Sequence, residues 1–266
     1  MWRLTLLLLY IPLLGFHQSV RSNDSLEVLL HESNGIRRLV ILQALAENYL
    51  NSNTKLAIHY CEEAIFLSDS LRIDTALAKA HLNLGNALMS AGQYQKALNS
   101  TALALQHYEK LDNYEKQIVS INQLGLIHQK FNNLEKADAY FHNALNKITA
   151  RLAEHPGEQR LKQYLLTAKN NIGLILILKG NNDSAARYYN KLLLEIDPDD
   201  LENQQNVLGN LGYIYSKSGD YDEALITTNR LLKITKKLED RSAEAQTLMQ
   251  LGNIYYYKGD HLKALD

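Results

Sequence analysis

A small side chain recurs along this chain at an almost constant spacing. Five glycines and one alanine each follow a leucine or isoleucine, and the intervals between them are 39, 40, 48, 39 and 40 residues. A fixed period of roughly 20 to 50 residues is typical of a solenoid, in which each unit packs only on its neighbours. The six positions are Ala46, Gly85, Gly125, Gly173, Gly212 and Gly252.

The residues around these positions form one repeating pattern. Its clearest copies read LGNALMSAGQYQKAL from Leu84, LGYIYSKSGDYDEAL from Leu211 and LGNIYYYKGDHLKAL from Leu251. Each copy predicts a helix A, a tight turn and a helix B. The small residue is expected to let helices A and B approach closely, facing an alanine eleven or twelve residues later. These alanines are Ala57, Ala97, Ala137, Ala185, Ala224 and Ala264.

The turns carry signals of their own. Glycines that tolerate positive φ are expected to end helix A in four copies. Asp220 and Asp260, directly after two of them, are candidate caps of helix B, and Asp199 or Asp200 is a candidate cap of a helix A. The four glycines are Gly92, Gly180, Gly219 and Gly259.

These repeats resemble the tetratricopeptide-repeat (TPR) family over nearly all of residues 37–266. The resemblance implies an all-α, right-handed superhelical solenoid of antiparallel helix pairs. The period of about 40 residues exceeds the family's usual 34 residues. In this respect the chain resembles the long-repeat branch of the family, which includes bacterial peptide-responsive regulators and extracytoplasmic sensor domains. A coiled coil is the alternative for such leucine-rich sequence, but no heptad continues across the regularly spaced glycines.

The chain divides into three predicted segments. Residues 1–22 are expected to be a signal peptide, 23–36 a lead-in, and 37–266 a solenoid of about six repeats, the last incomplete. The interval of 48 residues locates an insertion in Asn146–Thr167, where His155-Pro156-Gly157 breaks the chain between two extended helices. The predicted units are 37–70, 76–112, 116–154, 159–195, 202–238 and 242–266.

The N-terminal residues have the composition of an export signal. Arg3 precedes an apolar run of 13 residues, from Leu4 to Phe16, which is too short for a bilayer of about 30 Å. Val20 and Ser22 suit cleavage before Asn23, so we expect an exported, periplasmic or extracytoplasmic protein. The alternative is a buried apolar helix, but the repeat pattern does not extend into these residues.

The C-terminal residues suggest that more structure follows. Solenoids usually finish with a polar capping helix, whereas Leu248, Leu251, Ile254 and Tyr255 are expected to be partly uncovered. We therefore expect the chain to be a fragment, followed by further repeats or another domain.

Composition and motifs argue against several functions. The formal net charge is −1, which disfavours nucleic-acid binding. Cys61 is the only cysteine, and it is expected to be a small buried residue. His128 occupies a packing position, and it is expected to be a structural histidine and not a metal ligand. Phosphate loops, nucleophile elbows and H-E-x-x-H motifs are absent from the sequence, so no cofactor, metal or catalysis is expected.

The resemblance implies that helices A line a concave groove that binds a protein or peptide. Two positions per unit face it most directly, three residues before the small residue and one after it. Asparagines beside apolar residues suit an extended peptide, because a carboxamide bonds both backbone N–H and C=O. The candidate binding residues are Gln43, Glu47, Leu82, Asn86, Met89, Asn122, Leu126, Asn170, Leu174, Tyr213, Met249 and Asn253.

Two functional hypotheses follow from this interpretation. The first is the extracytoplasmic sensory input part of a larger bacterial regulator, and the second is a free secreted or periplasmic adaptor for envelope complex assembly. Only Lys79 lies near the positions of the basic clamp that chaperone-binding relatives use, so chaperone-tail binding is not expected. Catalysis within these residues is the least expected function. The ligand, the oligomeric state and any membrane span after Asp266 are left open.

Overall fold

The structure is a computed structural model that describes residues 23–264, so the predicted signal peptide lies outside the described residues. This part of the chain forms twelve α-helices. They are α1 (Asn23–His31), α2 (Gly35–Tyr49), α3 (Thr54–Ser70), α4 (Asp74–Ser90), α5 (Tyr94–Lys110), α6 (Tyr114–Lys130), α7 (Leu134–Glu154), α8 (Gln159–Leu178), α9 (Asn182–Glu195), α10 (Leu201–Ser218), α11 (Tyr221–Lys237) and α12 (Arg241–Lys258).

The predicted units correspond to consecutive helix pairs. The even-numbered helices α2 to α12 are the A helices, and the odd-numbered helices α3 to α11 are the B helices that follow them. The insertion lies where it was expected: α7 has 21 residues and α8 has 20, and the chain turns between them at His155-Pro156-Gly157. The prediction of an all-α solenoid is therefore confirmed.

Helix ends follow local backbone chemistry. Gly219 and Gly259 have φ of 85° and 89°, as the sequence predicted for the ends of A helices. Asn132 holds the same place in the third unit with φ of 57°, because asparagine tolerates this region better than most residues. Asp200 caps α10 through the Asn203 N–H at 3.1 Å. The cap predicted at Asp220 is wrong, since its side chain makes no capping bond to α11.

In four units, the residue that faces the small position lies one turn later than the sequence suggested. A Cβ atom on Gly125 would lie 2.5 Å from Phe141, and one on Gly173 would lie 2.5 Å from Tyr189. In these four units, the predicted alanine lies four residues before the facing side chain. The predicted alanines are fully buried, except Ala264, which is partly buried. Each helical glycine of this kind therefore makes room for a buried side chain of helix B. The facing residues are Thr101, Phe141, Tyr189 and Thr228.

Helix α1 covers the N-terminal end of the first unit. The Glu27 carboxylate accepts hydrogen bonds from the Tyr49 and Tyr60 hydroxyls at 2.8 and 3.0 Å. Arg38 donates to the Leu30 carbonyl at 3.0 Å and pairs with Glu63 at 2.8 Å. The predicted lead-in thus contains a helix that is tied to α2 and α3 by buried and partly buried polar contacts.

The last described helix is better covered than the sequence suggested. Leu251 and Ile254 are 8% and 0% exposed, so the expectation that they are uncovered is wrong. Both are buried because α12 packs against α11. Leu248 is 50% exposed, and Tyr255 is partly buried.

We predict that Gly125→Ala lowers the free energy of unfolding by about 1–3 kcal/mol. The added methyl would overlap Phe141, which is 0% exposed and has no room to move. The measurement is urea denaturation followed by circular dichroism.

Gly209→Ala is the matched control in another helix A. A Cβ there meets only Leu231, at 3.9 Å, so the helix gains about 0.5–1 kcal/mol from the loss of glycine flexibility. Equal effects of the two substitutions would contradict the packing account.

Candidate functional site

The contacts between helices define which face of the array is concave. Each helix A has Cα atoms within 8 Å of the helix A of the next unit, from α2 to α12, whereas no two B helices come this close within residues 23–264. An array whose A helices lie closer together than its B helices curves with the A helices inside. The A helices therefore line the inner face, as predicted.

The candidate residues differ in how much of each side chain reaches this face. Glu47, Tyr213, Met249 and Asn253 are exposed. Leu82 is only 6% exposed, because it packs beside Ala78 and Tyr108 in the core. The structure thus places Leu82 in the core and not on the groove surface. The partly buried candidates are Gln43, Asn86, Met89, Asn122, Leu126, Asn170 and Leu174.

Polar candidates at the N-terminal end of the groove already hold the neighbouring unit. Glu47 pairs with Lys79 at 2.9 Å and accepts a hydrogen bond from Asn83 at 3.1 Å. Gln43 donates to the Ala76 carbonyl at 3.1 Å. These contacts join α2 to α4, and they satisfy the only charged side chain among the candidates.

A row of carboxamides connects successive A helices further along the groove. Asn171 donates to the Asn122 Oδ1 atom at 2.8 Å, and Asn210 donates to the Asn170 Oδ1 atom at 3.0 Å. The Oδ1 atoms of Asn122 and Asn170 already accept these hydrogen bonds. The Nδ2 groups of the same two residues are therefore the donors that remain for a ligand. Every donor in this row lies two residues before a small position.

The sequence contained a signal for this row that residue-by-residue reasoning missed. A carboxamide stands two residues before the small position in five units, and its regularity is visible in the sequence alone. The five residues are Asn83, Gln123, Asn171, Asn210 and Gln250.

A buried tyrosine supports the row between α8 and α10. The Tyr189 hydroxyl donates to the Asn170 carbonyl at 2.9 Å and accepts from the Asn210 Nδ2 group at 3.0 Å. Burial is the main reason that the pKa of Tyr189 is raised, so the hydroxyl keeps its proton. The neutral hydroxyl fixes the positions of both asparagines.

Three cavities open in successive gaps between A helices. The gap between α6 and α8 holds about 140 Å3 beside Asn122, and that between α8 and α10 holds about 110 Å3 beside Asn170. The gap between α10 and α12 holds about 700 Å3, with Tyr213, Met249 and Asn253 on its wall. Of these three gaps, the one between α10 and α12 has the largest volume, and three predicted residues meet there.

A further cavity of about 850 Å3 lies beside the insertion, between the start of α8 and the loop before α10. Three of the carboxylates that line it make contacts within the protein. Glu195 pairs with Lys169, Asp197 accepts from the Asp199 N–H at 2.9 Å, and Asp200 caps α10.

His128 and Cys61 occupy packing positions. His128 is buried and stacks on Tyr140 with ring centroids 5.4 Å apart, and burial lowers its pKa. Burial raises the pKa of the Cys61 thiol to about 12, which makes it a poor nucleophile. Across residues 23–264, no group of three or more potential metal-binding side chains comes together.

None of the helices described is both long and apolar enough to cross a membrane.

Comparison with known proteins agrees with this architecture. The chain is 23% identical over 238 residues to lipopolysaccharide assembly protein B of Escherichia coli strain K12, and the match covers 81% of this chain. The chain spans 59% of the length of that relative.

Two solved structures share the fold. The STAND protein with a tetratricopeptide repeat sensor from Pyrococcus horikoshii has a TM-score of 0.68 at 17% identity, covering 91% of this chain and 37% of that one. NprR in complex with its cognate peptide NprX has a TM-score of 0.64 at 16% identity, covering 91% of this chain and 69% of that one.

The fold and groove define an all-α solenoid of helix pairs with an open inner face. Family models described as tetratricopeptide repeat match residues 166–200 and 203–266. These residues are therefore tetratricopeptide repeats, as the repeat pattern indicated.

We predict that Asn210→Ala lowers the free energy of unfolding by about 1–2 kcal/mol, because it removes two hydrogen bonds between units. The measurement is equilibrium unfolding in urea. Asn229→Ala is the matched control: Asn229 is exposed on α11 and bonds only its own helix, at the Leu225 carbonyl. A loss equal to that of the control would contradict a role for the carboxamide row in stacking the units.

Proposed function

We propose that this chain is a non-catalytic scaffold whose inner face binds an extended peptide or protein segment. The observation that carries the proposal is the groove itself, with donors at Asn122 and Asn170 beside Leu126 and Leu174. Carboxamides bond a peptide backbone, and neighbouring apolar side chains receive alternate side chains. The groove needs no cofactor for this role, and a net charge of −1 gives no attraction to nucleic acid.

We further infer that the scaffold is the extracytoplasmic sensory input part of a larger bacterial regulator. Two similarities support this inference. One structural neighbour is described as carrying a tetratricopeptide repeat sensor, and another is seen in complex with its cognate peptide. The export step rests on residues 1–22 of the sequence, where a short positive segment precedes an apolar run.

A second function is favoured by a different observation. The curated relative from Escherichia coli is a lipopolysaccharide assembly protein. That similarity supports a free secreted or periplasmic adaptor for the assembly of an envelope protein complex. Both functions use the same inner face, and they differ in what occupies it.

Site-specific photo-crosslinking in the native cells tests the groove and separates the two functions. A photoreactive amino acid replaces Asn86 or Tyr213 on the inner face in separate variants. Leu194 and Ile226, which are 87% and 65% exposed on the B helices α9 and α11, provide matched outer-face controls. Adducts are expected at the inner positions only, because the proposed ligand lies along the A helices.

The mass of the adduct then distinguishes the functions. A short peptide in the adduct supports the sensory input part, and an envelope protein supports the adaptor. Equal crosslinking at inner and outer positions would contradict a binding role for the groove.

A further inference from the structure

The packing of the solenoid does not require a glycine at position 209. Cβ atoms placed on Gly85, Gly125, Gly173 and Gly212 would lie 2.2 to 2.6 Å from the neighbouring side chain. A Cβ on Gly209 would meet only the Leu231 Cδ2 atom, at 3.9 Å, and Gly209 is not among the positive-φ residues. Glycine inside a helix costs about 0.5–1 kcal/mol relative to alanine, so folding does not explain Gly209.

The missing side chain at this position opens the groove. Gly209 lies three residues before Gly212, where the other units have Gln43, Leu82, Asn122, Asn170 and Met249. The gap beside it reaches down to Leu231 and Thr235 of α11 and holds about 700 Å3. This volume falls within the range of roughly 300–1,000 Å3 that is typical of ligand pockets.

The lining of this gap is rich in carboxamides but carries no charge. None of its residues is Asp, Glu, Lys, Arg or His, and six are carboxamides. A charged group entering it would lose water without gaining a counterion, which is unfavourable. A carboxamide offers both a donor and an acceptor. The six residues are Gln205, Asn206, Asn210, Gln246, Gln250 and Asn253.

One acceptor in the gap lacks a donor. The Gln205 Oε1 atom is buried and has no hydrogen-bond partner. Its Nε2 group lies 3.4 Å from the Asp240 Oδ2 atom, and that carboxylate also caps α12 through the Ala243 N–H at 3.0 Å. A buried acceptor without a donor is costly, so a ligand donor is favoured if the Gln205 amide turns its oxygen towards the gap.

We propose that the gap beside Gly209 is a subsite for an uncharged side chain of the bound polypeptide, of the glutamine or tyrosine kind. Its apolar part packs on Leu231 and Met249, and its polar tip bonds the carboxamides. Tyr213 and Asn253 bound the mouth, where the flanking backbone lies. This inference rests on the proposed peptide-binding function and adds the chemistry of one position in the ligand.

Filling the gap tests the subsite. A phage-displayed random peptide library is selected on the full chain, and the recovered peptides are synthesised and titrated by fluorescence anisotropy. Gly209→Leu places a side chain in the gap and is expected to weaken binding by about tenfold or more through steric exclusion. Gly209→Ala fills little of the volume and is the matched control, with an expected change below about threefold.

Both variants are expected to fold, because the position tolerates a Cβ atom, and thermal melting verifies this. The peptide provides the second measurement. Replacing its most sensitive residue by Lys or Glu is expected to weaken binding more than replacing it by Gln, since the gap holds no counterion. Equal tolerance of Lys, Glu and Gln would overturn the chemistry assigned to the subsite.

The remaining outcomes separate this inference from the function on which it rests. Peptides that bind Gly209→Leu as tightly as the unmodified chain, but lose affinity with Asn86→Ala or Leu126→Ala, overturn the subsite and leave the groove intact. A selection without binders, or binders that no inner-face substitution affects, overturns both.

Discussion

The structure depends on how closely the two helices of one unit approach each other. In the middle units this approach is set by a glycine in helix A and a fully buried side chain in helix B, such as Phe141 against Gly125. A single methyl group at the glycine would occupy space that the partner already fills. Because four successive units repeat this contact, small changes in its geometry accumulate along the array.

The groove follows from the same contact. Successive A helices lie closer together than successive B helices within the described part of the chain, so the array curves with its A helices inside. The carboxamide row, from Asn171 to Asn122 and from Asn210 to Asn170, then holds the A helices in register. The side chains that stabilise the stack thus also supply the polar surface of the inner face.

Much of the fold could be predicted from the sequence, because a repeat presents the same local evidence several times. The unit boundaries, the insertion near Pro156 and the positive-φ glycines all depend on residues close in the chain. The partner of each small residue could not be predicted in the same way. Alanines such as Ala137 are small and regular, but the glycines face residues of any size, from Thr101 to Tyr189, one turn later.

The candidate site was predicted less completely for a related reason. Position within the repeat placed Tyr213, Met249 and Asn253 on the inner face, but it did not reveal that Leu82 turns into the core. The same rule places Gly209 on the inner face, but the effect of its missing side chain is visible only when the neighbouring helices are in place. Volume and burial depend on contacts between units, and the pattern of one unit does not contain them.

Hydrogen–deuterium exchange of the full chain, with and without a selected peptide, tests the account most directly. A ligand held along the A helices stabilises the backbone of the helices that it contacts. The account predicts added protection in A helices, greatest in α10 and α12, with little change in the outer helices α9 and α11. Protection confined to the B helices or to the loops between units would contradict it.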